Sequence, residues 1–386
     1  MASVTGLKTG RVADVIVYAA FAGTGTGVVL PGTLLSVLLA RWALSDQQAG
    51  LLFFLFFVGS SIGALLSRGR LSRSIVRGCV CIAAGVLALA FSSRLETFFA
   101  MLLFGGGLGV TMTSVSLLQS RRRPLERTAE MARLNMIWAF GAFLSPTLLL
   151  RGAAHWSLQA VLYGVAIYFA ALALLAIFLL DSGESSTRGQ IIPSRLSGVR
   201  ALPLLLLVLV PLATGIESSV GGWLEAYSKR SGLLLGATIS TVTCFWAGLL
   251  LSRLIQSQRS LAVSTQQLVL RVSPWLMSVG LFVVIVRPQG WFILSGALLL
   301  GLAIGPVYPL VLSLLLGYGE AGNVMFLAGG IGSSALPLLT GLVSGSTKSL
   351  AAGLSVPLAG SVVMGVCAVA YRRQSGDLSA RIAGGS

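Results

Sequence analysis

The chain repeats one feature that few folds can accommodate: apolar runs of about twenty residues, separated by short polar breaks, from near residue 13 to near residue 371. About twenty apolar residues in a helix cross the ~30 Å hydrocarbon core of a bilayer. Twelve such runs are read, at about 13–39, 47–66, 74–92, 97–119, 131–150, 157–180, 202–228, 233–252, 268–287, 290–316, 321–343 and 349–371. Hydrophobic residues make up 55% of the 386 and charged residues only 10%. That balance excludes an ordinary soluble domain and predicts an all-α membrane protein of twelve transmembrane helices.

The formal net charge of +16 would fit a nucleic-acid partner if it were gathered on one surface. It is instead spread over loops on one side. With the N-terminus inside, 20 of the 27 Lys and Arg residues fall in inner segments, Arg68, Arg121, Arg122, Arg123 and Arg253 among them. This asymmetry predicts a multi-pass protein of the cytoplasmic (inner) membrane with both termini cytoplasmic. No nucleic acid is expected as a partner. Membrane lipids are, with inner-leaflet lipid a second role for the Arg121–Arg123 cluster. Cys79, Cys81, Cys244 and Cys367 lie in apolar runs without disulfide or zinc spacing, so neither metal nor cofactor is expected.

The halves repeat. Gly63-Ala-Leu-Leu-Ser-Arg68 recurs as Gly248-Leu-Leu-Leu-Ser-Arg253, and Gly141 with Pro146 recurs as Gly332 with Pro337. The expected layout is a six-helix bundle over residues 1–180, a cytoplasmic linker over 181–201, and a second six-helix bundle with a short tail over 202–386. Duplicated six-helix units are the layout of secondary transporters, with the binding site at midplane between the halves.

The stretch TGIESSVGGWLEAY, Thr214 to Tyr227, carries the sharpest chemistry. Glu217 falls near the middle of span 7, where a carboxylate is costly and by default marks a pathway or ligand site. Gly221 and Gly222 permit a bend or close approach. Trp223 and Tyr227 share a helical face at i, i+4. Of eleven acidic residues, only Glu217 and Glu225 lie well inside a span. A small polar solute calls for planar hydrogen-bonding groups beside aromatic faces. Asn135 with Trp138, and Asn323 with Phe326, offer that pairing at i, i+3; Trp246, Tyr308 and Thr26 are further candidates. The glycine clusters Gly23–Gly32, Gly105–Gly109 and Gly329–Gly332 lack the Lys-Ser/Thr of a phosphate loop and predict close helix packing. No nucleophile–base pair lies at membrane depth, so an enzyme is not expected.

With twelve spans, a six-plus-six repeat and a basic loop after span 2, the chain resembles the major facilitator superfamily. Gly63 and Arg68 fit that family's loop motif, which implies a cytoplasmic gate there; Ser67 stands where the family has an acid. Within the superfamily, Glu217, Gly221-Gly222-Trp223 and Tyr227, the LNMIWAFGAFLSP segment of span 5 and Gly305-Pro306-Val-Tyr308-Pro309 are similar to fucose permease-like sugar transporters. The resemblance implies alternating-access transport of a monosaccharide by a monomer, as a uniporter or a symporter with H+ or Na+, with Glu217 as the proton-coupling group. It departs from that group's proton symporters in having no carboxylate in span 4. A multidrug or amphiphile exporter of the same fold is the alternative, because a lone carboxylate beside aromatics suits organic cations. A transport-inactive membrane sensor is a third reading.

Overall fold

The computed structural model describes residues 4–67, 69–180, 204–232, 240–258, 263–316 and 322–383. The expected linker, 181–201, and Arg68 lie outside these residues, as do the side chains of Asn323 and Phe326. The described residues form helices and connecting turns, without strands.

The first half holds α1 (Val4–Thr33) with its short continuation α2 (Leu35–Trp42), then α3 (Asp46–Leu66), α4 (Leu71–Phe91), α5 (Glu96–Arg122), α6 (Arg127–His155) and α7 (Leu158–Leu179). The second half holds α8 (Leu204–Arg230), α9 (Thr241–Gln258), α10 (Val263–Val286), α11 (Gly290–Ile304) with α12 (Val307–Leu316), α13 (Gly322–Thr347), and α14 (Leu350–Gly353) with α15 (Ser355–Ala383). These make twelve helical columns, and among the described residues nine helices are long and apolar enough to cross a bilayer. The chain is a multi-pass helical membrane protein. Large apolar side chains such as Phe91, Ile167, Phe178 and Phe282 point outward, as a lipid-facing surface requires.

The sequence repeat has a counterpart in packing. Gly141 of α6 lies against the Ala22 carbonyl of α1, and Gly332 of α13 lies against the Pro211 carbonyl of α8. In each half the fifth column thus rests a glycine on the backbone of the first. Van der Waals contact between backbones is what drives helix association where the hydrophobic effect is absent.

One span is displaced from its expected position. Span 8 is expected at 233–252, but α9 starts at Thr241, where the Ser240 hydroxyl accepts from the Thr243 amide at 3.1 Å. The later start carries the helix on to Gln258 and draws Arg253 inside it, 8% exposed. Arg253 is therefore no loop cation, and counting it among the inner-loop charges is corrected. Its neighbours Leu254 and Ile255 carry the signal, since the apolar run continues past the arginine.

Among the described residues the halves meet chiefly where α1 and its continuation α2 pack on α8, α3 on α13 and α6 on α9. At the α1–α8 contact Gly32 presses on the Gly221 carbonyl and the Gly222 backbone. Gly221 and Gly222 serve this close approach, and α8 runs through them unbroken. A Cβ at Gly32 has nowhere to go, whereas one at Gly106 would meet its nearest neighbour, the Gly59 carbonyl, at an ordinary 3.6 Å. Gly32→Ala is therefore expected to lower the thermal unfolding midpoint of the detergent-solubilised protein, at a cost of about 1–3 kcal/mol. Gly106→Ala is expected to leave it unchanged, and equal midpoints for both variants would refute the seam.

Candidate functional site

Glu217 of α8 is not a lone carboxylate. Its Oε2 faces the Arg253 guanidinium of α9 at 3.5 Å, with the two side chains 17% and 8% exposed. On its other side the guanidinium carbon lies 5.3 Å from the centre of the Trp138 ring, which belongs to α6 in the first half. A cation over an indole face gains from the ring quadrupole, more so when desolvated. Trp138 meets Trp246 of α9 edge to face, centroids 5.8 Å apart, and Trp246 packs on Phe245 at 4.9 Å. Gly221 makes room for the Trp246 ring beside α8.

Tyr308 completes the cluster, within electrostatic reach of both Glu217 and Arg253. It follows a break in span 10: α11 ends at Ile304 and α12 begins at Val307. Pro306 and Pro309 carry no N–H, so the carbonyls four residues before each lack their helical donor. Interrupted helices at membrane depth are tolerated where they line a cavity. Gly305 is required at the break, because the Ser252 hydroxyl next to Arg253 occupies the space of a side chain there.

Three donors in this cluster stay unsatisfied. Trp138 Nε1, Trp246 Nε1 and Arg253 Nε are buried and find no acceptor among the described residues. An unpaired buried donor costs about 1–3 kcal/mol, so three in one place constitute a feature rather than an accident. Asn135, one turn from Trp138, is half-buried with no hydrogen bond among the described residues.

Other expected site residues lie elsewhere. Trp223 is fully buried in the seam, donates its indole N–H to the Pro337 carbonyl at 3.1 Å and packs on Phe53. Tyr227 donates to the Ile285 carbonyl at 3.1 Å. Their i, i+4 spacing indicates a shared face, but that face meets protein, which corrects their expected place beside Glu217. Thr26 donates to the Gly141 carbonyl at 3.3 Å, a bond within the first half. Gly63 lies against the Gly106 carbonyl between α3 and α5, as a packing residue.

Two polar clusters bracket the site, and both escaped the sequence reading. Where α3 begins, Ser45 caps the helix and Asp46 follows in its first turn. Asp46 accepts two bonds of 2.7 Å from Arg230 of α8 and one of 2.5 Å from the Ser344 hydroxyl of α13. Among the described residues this is the ion pair that joins the two halves. At the opposite end, Glu130 is 1% exposed and accepts from Tyr18 at 2.5 Å and from Arg123 and Arg133 at 2.7 Å each. Arg123 also reaches Asp14 at 2.5 Å. The Glu130 hydrogen bond raises the Arg123 guanidinium above its ordinary value, holding it charged. Every member of this second cluster belongs to the first half. The molecule is thus tied shut by charge at the Asp46 end and not, among the described residues, at the other.

A sequence profile described as Major Facilitator Superfamily matches residues 15–341, and the chain belongs to that superfamily. It is a membrane transporter by family and fold. No curated protein sequence matches it. Among solved structures it is similar to a bacterial homologue of the human drug peptide transporters PepT1 and PepT2, at 15% identity and a TM-score of 0.73, over 96% of this chain and 99% of that one. It is also similar to tetrameric PepTSo2, at 14% identity and a TM-score of 0.69, over 95% and 98% of the two chains. A third, from work on proton dependent oligopeptide transporters, aligns at 14% identity with a TM-score of 0.69, over 93% and 97%.

Asp46→Asn and Arg230→Gln are each expected to loosen the seam, read as faster maleimide labelling of a cysteine placed at Ala49, fully buried in the first turn of α3. The exchange of Asp46→Arg with Arg230→Asp is expected to restore slow labelling. Equal labelling in all four proteins would show that the pair holds nothing shut.

Proposed function

We propose that the protein carries a small polar solute across the cytoplasmic membrane by alternating access, with residues 1–180 and 202–386 as the two moving units. The observation that carries this is the shared centre: Arg253 and Glu217 come from the second half, and Arg253 stacks on Trp138 from the first. A solute held there touches both halves, so its binding depends on how they are arranged. The basic-residue asymmetry supports cytoplasmic termini, and with that orientation the Asp46–Arg230 pair lies on the outer side, closed in this conformation.

The solute class is a monosaccharide or a molecule of that size. Supporting this are the aromatic walls of Trp138, Trp246 and Tyr308, the free amide of Asn135, and the resemblance of spans 5, 7 and 10 to fucose permease-like carriers. The similar solved structures are described as peptide transporters, and at 14–15% identity that likeness carries the fold alone. Export of organic cations is disfavoured by Arg253, which already neutralises the carboxylate such a solute would seek. Glu217 is the proton-coupling group in this reading, being the one acid at the centre.

Uptake of radiolabelled solute into proteoliposomes, with and without an imposed proton gradient, tests the proposal. Wild-type protein is expected to accumulate solute down the gradient, and Glu217→Gln to equilibrate it without accumulation. Accumulation by Glu217→Gln would remove Glu217 from coupling, and absence of any flux would remove the monosaccharide reading. For topology, a cysteine at Gln190 is expected to react with impermeant reagent only from the cytoplasmic side.

A further inference from the structure

We infer that the solute bears a carboxylate, and that this group docks on Arg253 together with the indole N–H groups of Trp138 and Trp246. The inference rests on the transport reading above and narrows its substrate class.

The unsatisfied groups of this cluster are all donors. Trp138, Trp246 and Arg253 are 7%, 3% and 8% exposed, and each retains an N–H without an acceptor among the described residues. An indole nitrogen and a guanidinium can only donate. The missing partner must therefore present acceptors, and several of them. The groups also share one neighbourhood. Trp138 meets both the Trp246 ring and the Arg253 guanidinium. Arg253 and Trp246 stand seven residues apart on α9, two turns along one face.

A sugar hydroxyl fits such a surface poorly. Each one that accepts must also place its own hydrogen, and the one carboxylate at hand, Glu217, is already engaged with Arg253. A carboxylate presents two oxygens with about four acceptor positions and no hydrogen. Its bonds to a guanidinium are charge-assisted and roughly twice as strong as neutral ones. The existing Glu217–Arg253 contact leaves capacity for it: at 3.5 Å it is longer than the 2.7–2.9 Å of a full charge-assisted bond. Two carboxylates on one guanidinium leave one negative charge in excess at membrane depth. A proton carried with the solute, the role proposed for Glu217, cancels it. The rest of the solute then lies toward Tyr308 and Asn135, whose hydroxyl and amide can serve sugar-like hydroxyls. A small polyhydroxy acid, such as a sugar acid, meets all of these demands.

The test compares matched solutes that differ in the carboxylate. Uptake by the full chain in proteoliposomes is measured for D-glucuronate against D-glucose, D-galacturonate against D-galactose, and glycerate against glycerol. At least one acid is expected to be carried with a KM about tenfold or more below that of its neutral partner, the scale of one charge-assisted hydrogen bond. Trp138→Phe and Trp246→Phe keep an aromatic ring and remove the N–H. Each is expected to raise the KM for the acid about tenfold more than that for its neutral partner, leaving the protein folded by its elution profile. Equal KM values for acids and neutral partners, or a shift of both together in the Phe variants, would overturn the carboxylate. Flux of neutral sugars alone would overturn it too while keeping the transport reading, whereas flux of none of the six solutes would overturn both.

Discussion

The structure depends on a charge pair held at membrane depth. Glu217 and Arg253 lie 3.5 Å apart on adjacent helices, in a protein whose surroundings are hydrocarbon on all sides. Removing two ions from water costs several kcal/mol each, and an imperfect pair does not recover that cost. Replacing one partner alone strands the other, at a cost of about 3–5 kcal/mol. Such a pair is weak evidence of stabilisation and better evidence of function. Its surroundings agree. The indole of Trp138 covers one face of the guanidinium, a helix break stands against Ser252 next to the arginine, and three donors find no acceptor among the described residues.

Around that centre the two ends of the molecule differ. At the Asp46 end the halves are joined by backbone contact and by a bidentate ion pair. At the other end the charges of Asp14, Arg123, Glu130 and Arg133 are spent within one half, bracing α1, α5 and α6 against one another. A half with internal bracing, facing a partner through small residues, a few aromatic contacts and one breakable ion pair, suits rocking motion. The glycines let the backbones approach closely, so that parting the seam separates a few aromatic contacts, such as Phe53 on Trp223, from one another.

The fold was legible because its cause is crude: helices must cover their own backbone in lipid, and apolar runs of about twenty residues report that directly. The internal repeat was legible too, since Gly141 and Gly332 play the same packing role in each half. The site was legible in part. Glu217, Trp138, Trp246 and Tyr308 stood out because polar or aromatic groups in mid-span need a reason, and they do converge. Arg253 did not stand out, because an arginine after a leucine run reads as a span end; only the later start of α9 shows it inside. Trp223 and Tyr227 share a face with each other but face protein, which spacing alone cannot tell. Asp46, Glu130 and Arg230 are near span ends, and their partners are 184 residues away for Arg230 and 112 for the Tyr18–Glu130 bond. No local pattern encodes such pairings.

The central claim is that transport requires the seam at the Asp46 end to part. Gly345 of α13 lies against the Gln47 side chain of α3, so cysteines at these two positions would face each other across the halves. The direct measurement is solute flux in proteoliposomes for the Gln47→Cys, Gly345→Cys double variant, cross-linked and then reduced. The account predicts that cross-linking stops flux, that the locked protein still binds solute from the side of the Arg123 cluster, and that reduction restores transport. Undiminished flux through the cross-linked protein would contradict it.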